Sequence, residues 1–254
     1  VLTSDRRRET KRQQQAFARA RRAEQKYSRQ LRKVATQVGN IINSFPPGDP
    51  AALPPLTRAL AHYAEAIRPW ATAVASDMVA QVARYDELAW RAHTQGMARA
   101  VRQEIAQAPT GAVVRRLLAE QVALITSLPI DAGNRVHKLT TEALVDSSRA
   151  SEIAKDILRS GEVTRSRATL IARTEVGRTS TAMTQARAEH MGSDGYIWRT
   201  AGDADVRKSH KQMEGKFVRW DTMPRLSDGT VTHAGAIWNC RCFAEPVIPA
   251  IFDE

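Results

Sequence analysis

The sequence predicts a mainly α protein with a small α+β C-terminal domain: a long helical hairpin or bundle followed by a compact cap of short strands. Three observations carry this. Apolar residues recur at helical spacing through most of the chain up to Met191. The stretch FPPGDPAALPP, residues 45–55, cuts the first long pattern from the next. Beyond Gly192 the period changes to short aromatic or β-branched runs bounded by Gly, Asp or Pro.

Phe17, Ala20, Glu24, Tyr27, Leu31, Val34, Val38, Ile41 and Phe45 step by three and four, and only Glu24 interrupts the apolar stripe. This is one long amphipathic helix, suited to a coiled-coil contact or to a hairpin with a second long helix. The prolines after Phe45 remove backbone donors and Gly48 allows a turn, so the helix stops there. A short helix over 56–67 follows. A second long pattern then starts near Pro69 and runs through Trp70, Val74, Met78, Val82, Tyr85, Ala89 and Ala92. The simplest arrangement folds the two long helices together as an antiparallel hairpin.

Thr110 is expected to cap a third helix that ends at Pro129, and Asp131 to open a fourth carrying Val136, Leu139, Ala143 and Leu144. Residues 151–158 read as a short helix ended by Gly161. A further long helix opens at Thr164 and is closed by Gly192. YIWRT, KFVRW and WNCRCFAEPV are then expected to be strands, with Trp198, Trp220 and Trp238 as the aromatic core of the cap. The expected organisation is a basic long helix or arm over 1–45, a helical body over 46–126, a second helical part over 127–191 and the cap over 192–254.

The 254 residues carry a net charge of +11, which makes a polyanion such as nucleic acid a natural partner. The charge is uneven. Residues 1–33 hold twelve Lys/Arg against three acidic residues, whereas residues 191–254 hold eight against nine. Duplex DNA contact is therefore expected from the arm, through Arg6, Arg7, Arg8, Lys11, Arg12, Arg19, Arg21 and Arg22; a solvated basic helix or tail is the competing reading. No apolar run approaches the ~18 to 20 residues of a membrane helix, and no short apolar region follows the basic start. A soluble, unsecreted protein with no membrane partner is expected.

Two cysteines in a chain of this size fit a reducing compartment. Both lie in HAGAIWNCRCFAEP, and His210, His233, Cys240 and Cys242 supply four nitrogen or sulfur donors within 33 positions. That inventory suits a tetrahedral structural zinc, although C-x-C on an extended strand is not the usual C-x₂-C knuckle. Packed thiols beside hydrogen-bonded histidines are the alternative, and no cofactor follows with certainty. Arg173 and Glu175, two apart on a helix, point to different faces, so each either clamps a neighbouring element or faces water. H-E-x-x-H, a P-loop lysine motif and G-x-S-x-G are all absent from the sequence, and no catalytic residue is expected.

In order, LIARTEVGRTSTAMTQARAEHMG, GYIWRTAGDADVRKSHKQMEGKFVRWD and NCRCFAEP resemble the phage Mu F-like head-morphogenesis family, minor head proteins of tailed phages. The resemblance covers about residues 127–249. It marks Arg173, Thr174 and Glu175, then Asp203, Arg207, His210 and Gly215, then Asn239, Cys240, Arg241, Cys242 and Pro246. Many relatives carry a C-x-x-C pair where this chain has Arg207 and His210, and Arg207 cannot ligate a metal.

The resemblance implies a non-enzymatic minor capsid protein, made in the host cytoplasm and held in the virion near the portal vertex. Its partners would be the portal protein, capsid proteins and double-stranded DNA, and its role head assembly with DNA packaging or ejection. Two other readings stay open: a metal-dependent nuclease or other DNA-acting enzyme, and a capsid scaffold without DNA contact.

Overall fold

The computed structural model describes residues 2–94, 99–145 and 149–249, with the side chains of 2–14, 16, 100 and 101 left out. The protein is mainly α with a small three-stranded antiparallel sheet near the C-terminal end. The helices are α1 (Leu2–Asn43), α2 (Leu53–Ala66), α3 (Arg68–His93), α4 (Arg99–Gln107), α5 (Gly111–Val145), α6 (Ala150–Leu158), α7 (Ser160–His190) and α8 (Lys208–Lys211). The strands are β1 (Gly195–Arg199), β2 (Phe217–Arg219) and β3 (Phe243–Pro246). None of the described helices is long and apolar enough to cross a membrane.

Contacts divide the chain into two compact units that do not follow it in blocks. One gathers Val1–Gln25, Asp77–Leu117 and Arg173–Glu254; the other gathers Lys26–Ser76 and Leu118–Ala172. In the second unit the apolar stripe of α1 is buried through Tyr27, Leu31, Val34, Val38 and Ile42. The Tyr27 hydroxyl donates to Gln121 Oε1 of α5 at 3.0 Å, so the one large polar atom on that stripe is satisfied inside the core.

Two helix boundaries differ from the sequence expectation. Pro129 does not end a helix: α5 runs through it to Val145. Proline costs the helix one backbone bond, but Ile125, Leu128, Ala132 and Val136 on both sides of it are buried, and that packing outweighs the break. Asp131 is accordingly no cap, and its carboxylate pairs with Arg167 of α7 at 2.7 Å. Gly161 likewise lies inside α7, which opens at Ser160, and Thr164 back-bonds to the Ser160 carbonyl at 2.8 Å. A Cβ on Gly161 would lie 2.9 Å from the Gly39 Cα of α1, so the glycine serves a close helix approach rather than a stop. Helix α4 has no counterpart in the expected elements.

In the first unit α7 ends as expected at Gly192, whose φ is +71°. The Ser193 amide reaches the Ala188 carbonyl and the Gly192 amide the Glu189 carbonyl, the paired bonds of a Schellman cap. The sheet has the order β2-β1-β3, with Tyr196 opposite Val218 on one side and Pro246 on the other. Tyr196 and Trp198 are fully buried beside Trp220, Leu226 and Ala244, and the same core takes Trp90 from α3, Ile105 from α4 and Met191. At ~25 cal/mol per Å², burying a large aromatic is worth roughly 4 to 6 kcal/mol before conformational costs, so these side chains dominate the core. Trp238 departs from expectation: it is 61 % exposed and forms no part of that core.

Candidate metal centre

Two loops and a short helix build the site, all within the first unit. Gly202, at φ +72°, turns the chain after β1. Asp203 then folds the loop by accepting the Asp205 amide at 3.1 Å. Arg207 stays extended and starts α8, which carries Ser209 and His210 inward. Ser209 donates to Asp228 Oδ2 at 2.7 Å, and that bond with those from Thr230 holds the Asp228 carboxyl down at about 2. Gly215, at φ +76°, closes the segment by donating its amide to the Trp198 carbonyl at 2.9 Å.

The N-C-R-C segment is a turn, not the strand expected from sequence: β3 starts only at Phe243. Asn239 sits at φ +55°, a left-handed conformation that Asn tolerates better than most side chains. Three arginines stake the turn from outside. Arg207 donates to the Trp238 carbonyl at 2.7 Å. Arg173 of α7 donates to Asn239 Oδ1 at 3.2 Å while its Nε holds Glu24 of α1 at 3.0 Å. Arg241 forks onto both oxygens of Asp203 at 2.8 Å and reaches Asp205 at 3.2 Å. Each such partly exposed pair is worth only about 0 to 1 kcal/mol, so together they fix geometry more than they add stability.

Inside the turn, His210 Nδ1 lies 3.4 Å from both the Cys240 and the Cys242 sulfur. All three donor atoms lie within 4.8 Å of one another, and all three residues are buried. The His210 and Trp198 rings meet in a T-shaped pair at 89°, with 5.6 Å between centroids. The two thiols differ sharply. Cys240 is depressed, chiefly because the Cys242 thiol donates to it, and its sulfur also faces the Cys242 amide at 3.4 Å. Cys242 is raised for the reciprocal reason and by burial.

His233, expected as a fourth donor, lies outside this cluster. Burial lowers its pKa, and its Nδ1 lies 3.1 Å from the hydroxyl of Tyr196, whose own pKa burial raises. A neutral imidazole therefore accepts from the phenol, which in turn accepts the Ala234 amide at 3.1 Å. That nitrogen is committed to Tyr196 of β1.

The remaining expected residues fall as follows. Thr174 and Glu175 are buried on α7, with Glu175 ion-paired to Arg178 at 3.2 Å, and Pro246 lies in β3 opposite Tyr196. Arg6, Arg7, Arg8, Lys11 and Arg12 belong to α1, but their side chains lie outside the described residues. Arg19 is half-buried, while Arg21 and Arg22 are exposed. Sequence reasoning missed the face of α7 that receives the loop before the cysteines. A Cβ on Gly177 would lie 2.7 Å from the Gly235 carbonyl oxygen, and Thr181 donates to the Ala234 carbonyl at 2.7 Å. The signal was a glycine and a threonine at i, i+4 inside a long helix. Glu24 had a signal too, as the one break in the apolar stripe of α1.

Helical elements that dock a small cap, closed by a buried cysteine-histidine cluster and an arginine-staked turn, define the class of the first unit. Within the chain, residues 134–245 match the family described as Phage Mu protein F like protein. The match runs from α5 into β3 and includes all three donors. An uncharacterized protein of Haemophilus influenzae is 33 % identical over 135 residues, 53 % of this chain. That stretch is 29 % of the relative's own length, so the chain spans under a third of it. No solved structure matches.

Proposed function

We propose that the protein is a non-enzymatic minor head protein of a tailed phage, docking at the portal vertex inside the capsid, with the basic start of α1 facing packaged DNA. The family match over residues 134–245 carries this reading. The concentration of charge supports the DNA contact, since twelve of the 38 Lys/Arg fall in residues 1–33. In this reading capsid proteins are further partners, and the role lies in head assembly and in packaging or ejecting DNA.

Co-expression with the portal protein of the same phage tests the docking. A complex on size exclusion at low and moderate salt is the expected result, and separate elution at both would overturn it. For DNA, replacing Arg6, Arg7, Arg8, Lys11 and Arg12 by Ser keeps the Glu24 bridge to Arg173 and should lower duplex affinity and flatten its salt dependence. An unchanged salt slope rejects the arm as the contact. Plasmid incubated with the protein and Mg²⁺, Mn²⁺ or Zn²⁺ should stay intact; cleavage would favour the nuclease reading.

A further inference from the structure

A single imidazole nitrogen stands 3.4 Å from two sulfurs inside a closed core, with no described carboxylate or further histidine completing the group. A divalent cation suits this convergence, because it takes two thiolates and an imidazole at once and releases the thiol protons to solvent.

The distances fit. Zinc holds sulfur at about 2.3 Å and nitrogen at about 2.0 to 2.1 Å, which sets tetrahedral N···S edges of about 3.5 Å and an S···S edge of about 3.8 Å. The observed 3.4 Å edges and the common 4.8 Å limit describe one face of such a tetrahedron. The backbone also makes the set rigid. Asn239, held in its left-handed conformation, and the arginine stakes on both sides fix the cysteine turn, and α8 fixes His210. This is what allows C-x-C to converge on one nitrogen.

We propose that His210 Nδ1 and the thiolates of Cys240 and Cys242 bind one zinc ion that locks the cap, and that His233 takes no part. Among the described residues these three are its protein donors. The ion is structural: its donors are 2 to 6 % exposed, and it ties α8, which follows β1, to the turn that precedes β3.

The test uses the full chain without portal or DNA, so its outcome and that of the head-protein reading are separable. Elemental analysis of purified protein should give one zinc per chain. His210→Ala should lose it and His233→Ala should keep it; the reverse pattern overturns the assignment. Should His210→Ala fail to fold, cobalt(II) loaded into the metal-stripped parent decides. Strong thiolate-to-cobalt charge-transfer absorption and intense tetrahedral d–d bands are expected. A weak octahedral spectrum, with both thiols still reactive toward a thiol reagent, would overturn the proposal.

Discussion

Arg187 of α7 places its Nε 2.8 Å from Asp86 Oδ2 of α3, and the two side chains are 10 % and 1 % exposed. Thr184 donates to the other Asp86 oxygen at 2.6 Å, and Arg187 spends a second donor on the Ile105 carbonyl of α4 at 2.9 Å. One buried pair therefore ties three helices together beneath the cap. Desolvation opposes such a pair, whereas removing one partner strands the other charge. Asp86→Ala should cost about 3 to 5 kcal/mol in denaturant unfolding. Combining it with Arg187→Met should cost clearly less than the sum of the two single changes. Additive losses would mean that the pair is not coupled.

The same carboxyl predicts an unusual pH dependence. Burial pushes the Asp86 pKa up to about 6, against the opposing pull of Thr184 and Arg187, whereas an unfolded Asp titrates near ~3.9. The folded state thus binds this proton more tightly than the unfolded state. Its contribution to stability grows as pH falls through about 6 and levels off below about 4, opposite to an ordinary salt-bridged carboxylate. Between pH 7 and 4 the stability of the parent relative to Asp86→Asn should rise, by at most about 3 kcal/mol. A flat difference would place the folded pKa near its ordinary value.

Periodicity made the helices and the small C-terminal sheet legible, and the ordered motifs made the family match over residues 134–245 legible. The errors came where local punctuation met tertiary packing. Pro129 and Gly161 read as stops because proline and glycine disfavour helices locally; buried neighbours on both sides carried α5 through the first, and the approach of Gly39 explains the second. Trp238 read as core because aromatic residues usually are, yet its turn holds it outward through the Arg207 bond to its carbonyl. At the site, donor types were visible in sequence and donor geometry was not. His210 and His233 are equivalent as letters; the structure sets one beside both sulfurs and the other beside the Tyr196 hydroxyl.

The Gly39–Gly161 crossing gives a steric test. Glycine to alanine inside a helix ordinarily gains about 0.5 to 1 kcal/mol. At Gly161 the added methyl would meet Gly39 Cα at 2.9 Å, so Gly161→Ala should instead lose about 1 to 3 kcal/mol. Gly39→Ala meets Gly161 Cα at 3.3 Å and should lose less. A gain in stability at Gly161 would show that the two helices do not approach this closely.

Gly177 and Gly235 extend the argument to the cap. The Gly235 carbonyl oxygen occupies the space a Cβ on Gly177 would need, at 2.7 Å, and the Cys240 carbonyl lies 3.8 Å from the same point. Gly235 is itself at φ +78°, so its loop has little freedom to retreat. Gly177→Ala should therefore lift the loop from α7, breaking the Thr181 bond to Ala234 and loosening the turn that presents both cysteines. Amide exchange over residues 234–242 should accelerate at least tenfold, with exchange in α2 and α6 of the other unit unchanged. Thr181→Val, which removes the hydrogen bond but leaves the glycine contact, should accelerate the same amides less. Equal acceleration by the two variants would assign the docking to the hydrogen bond alone, and unchanged exchange in both would place the loop's anchor elsewhere.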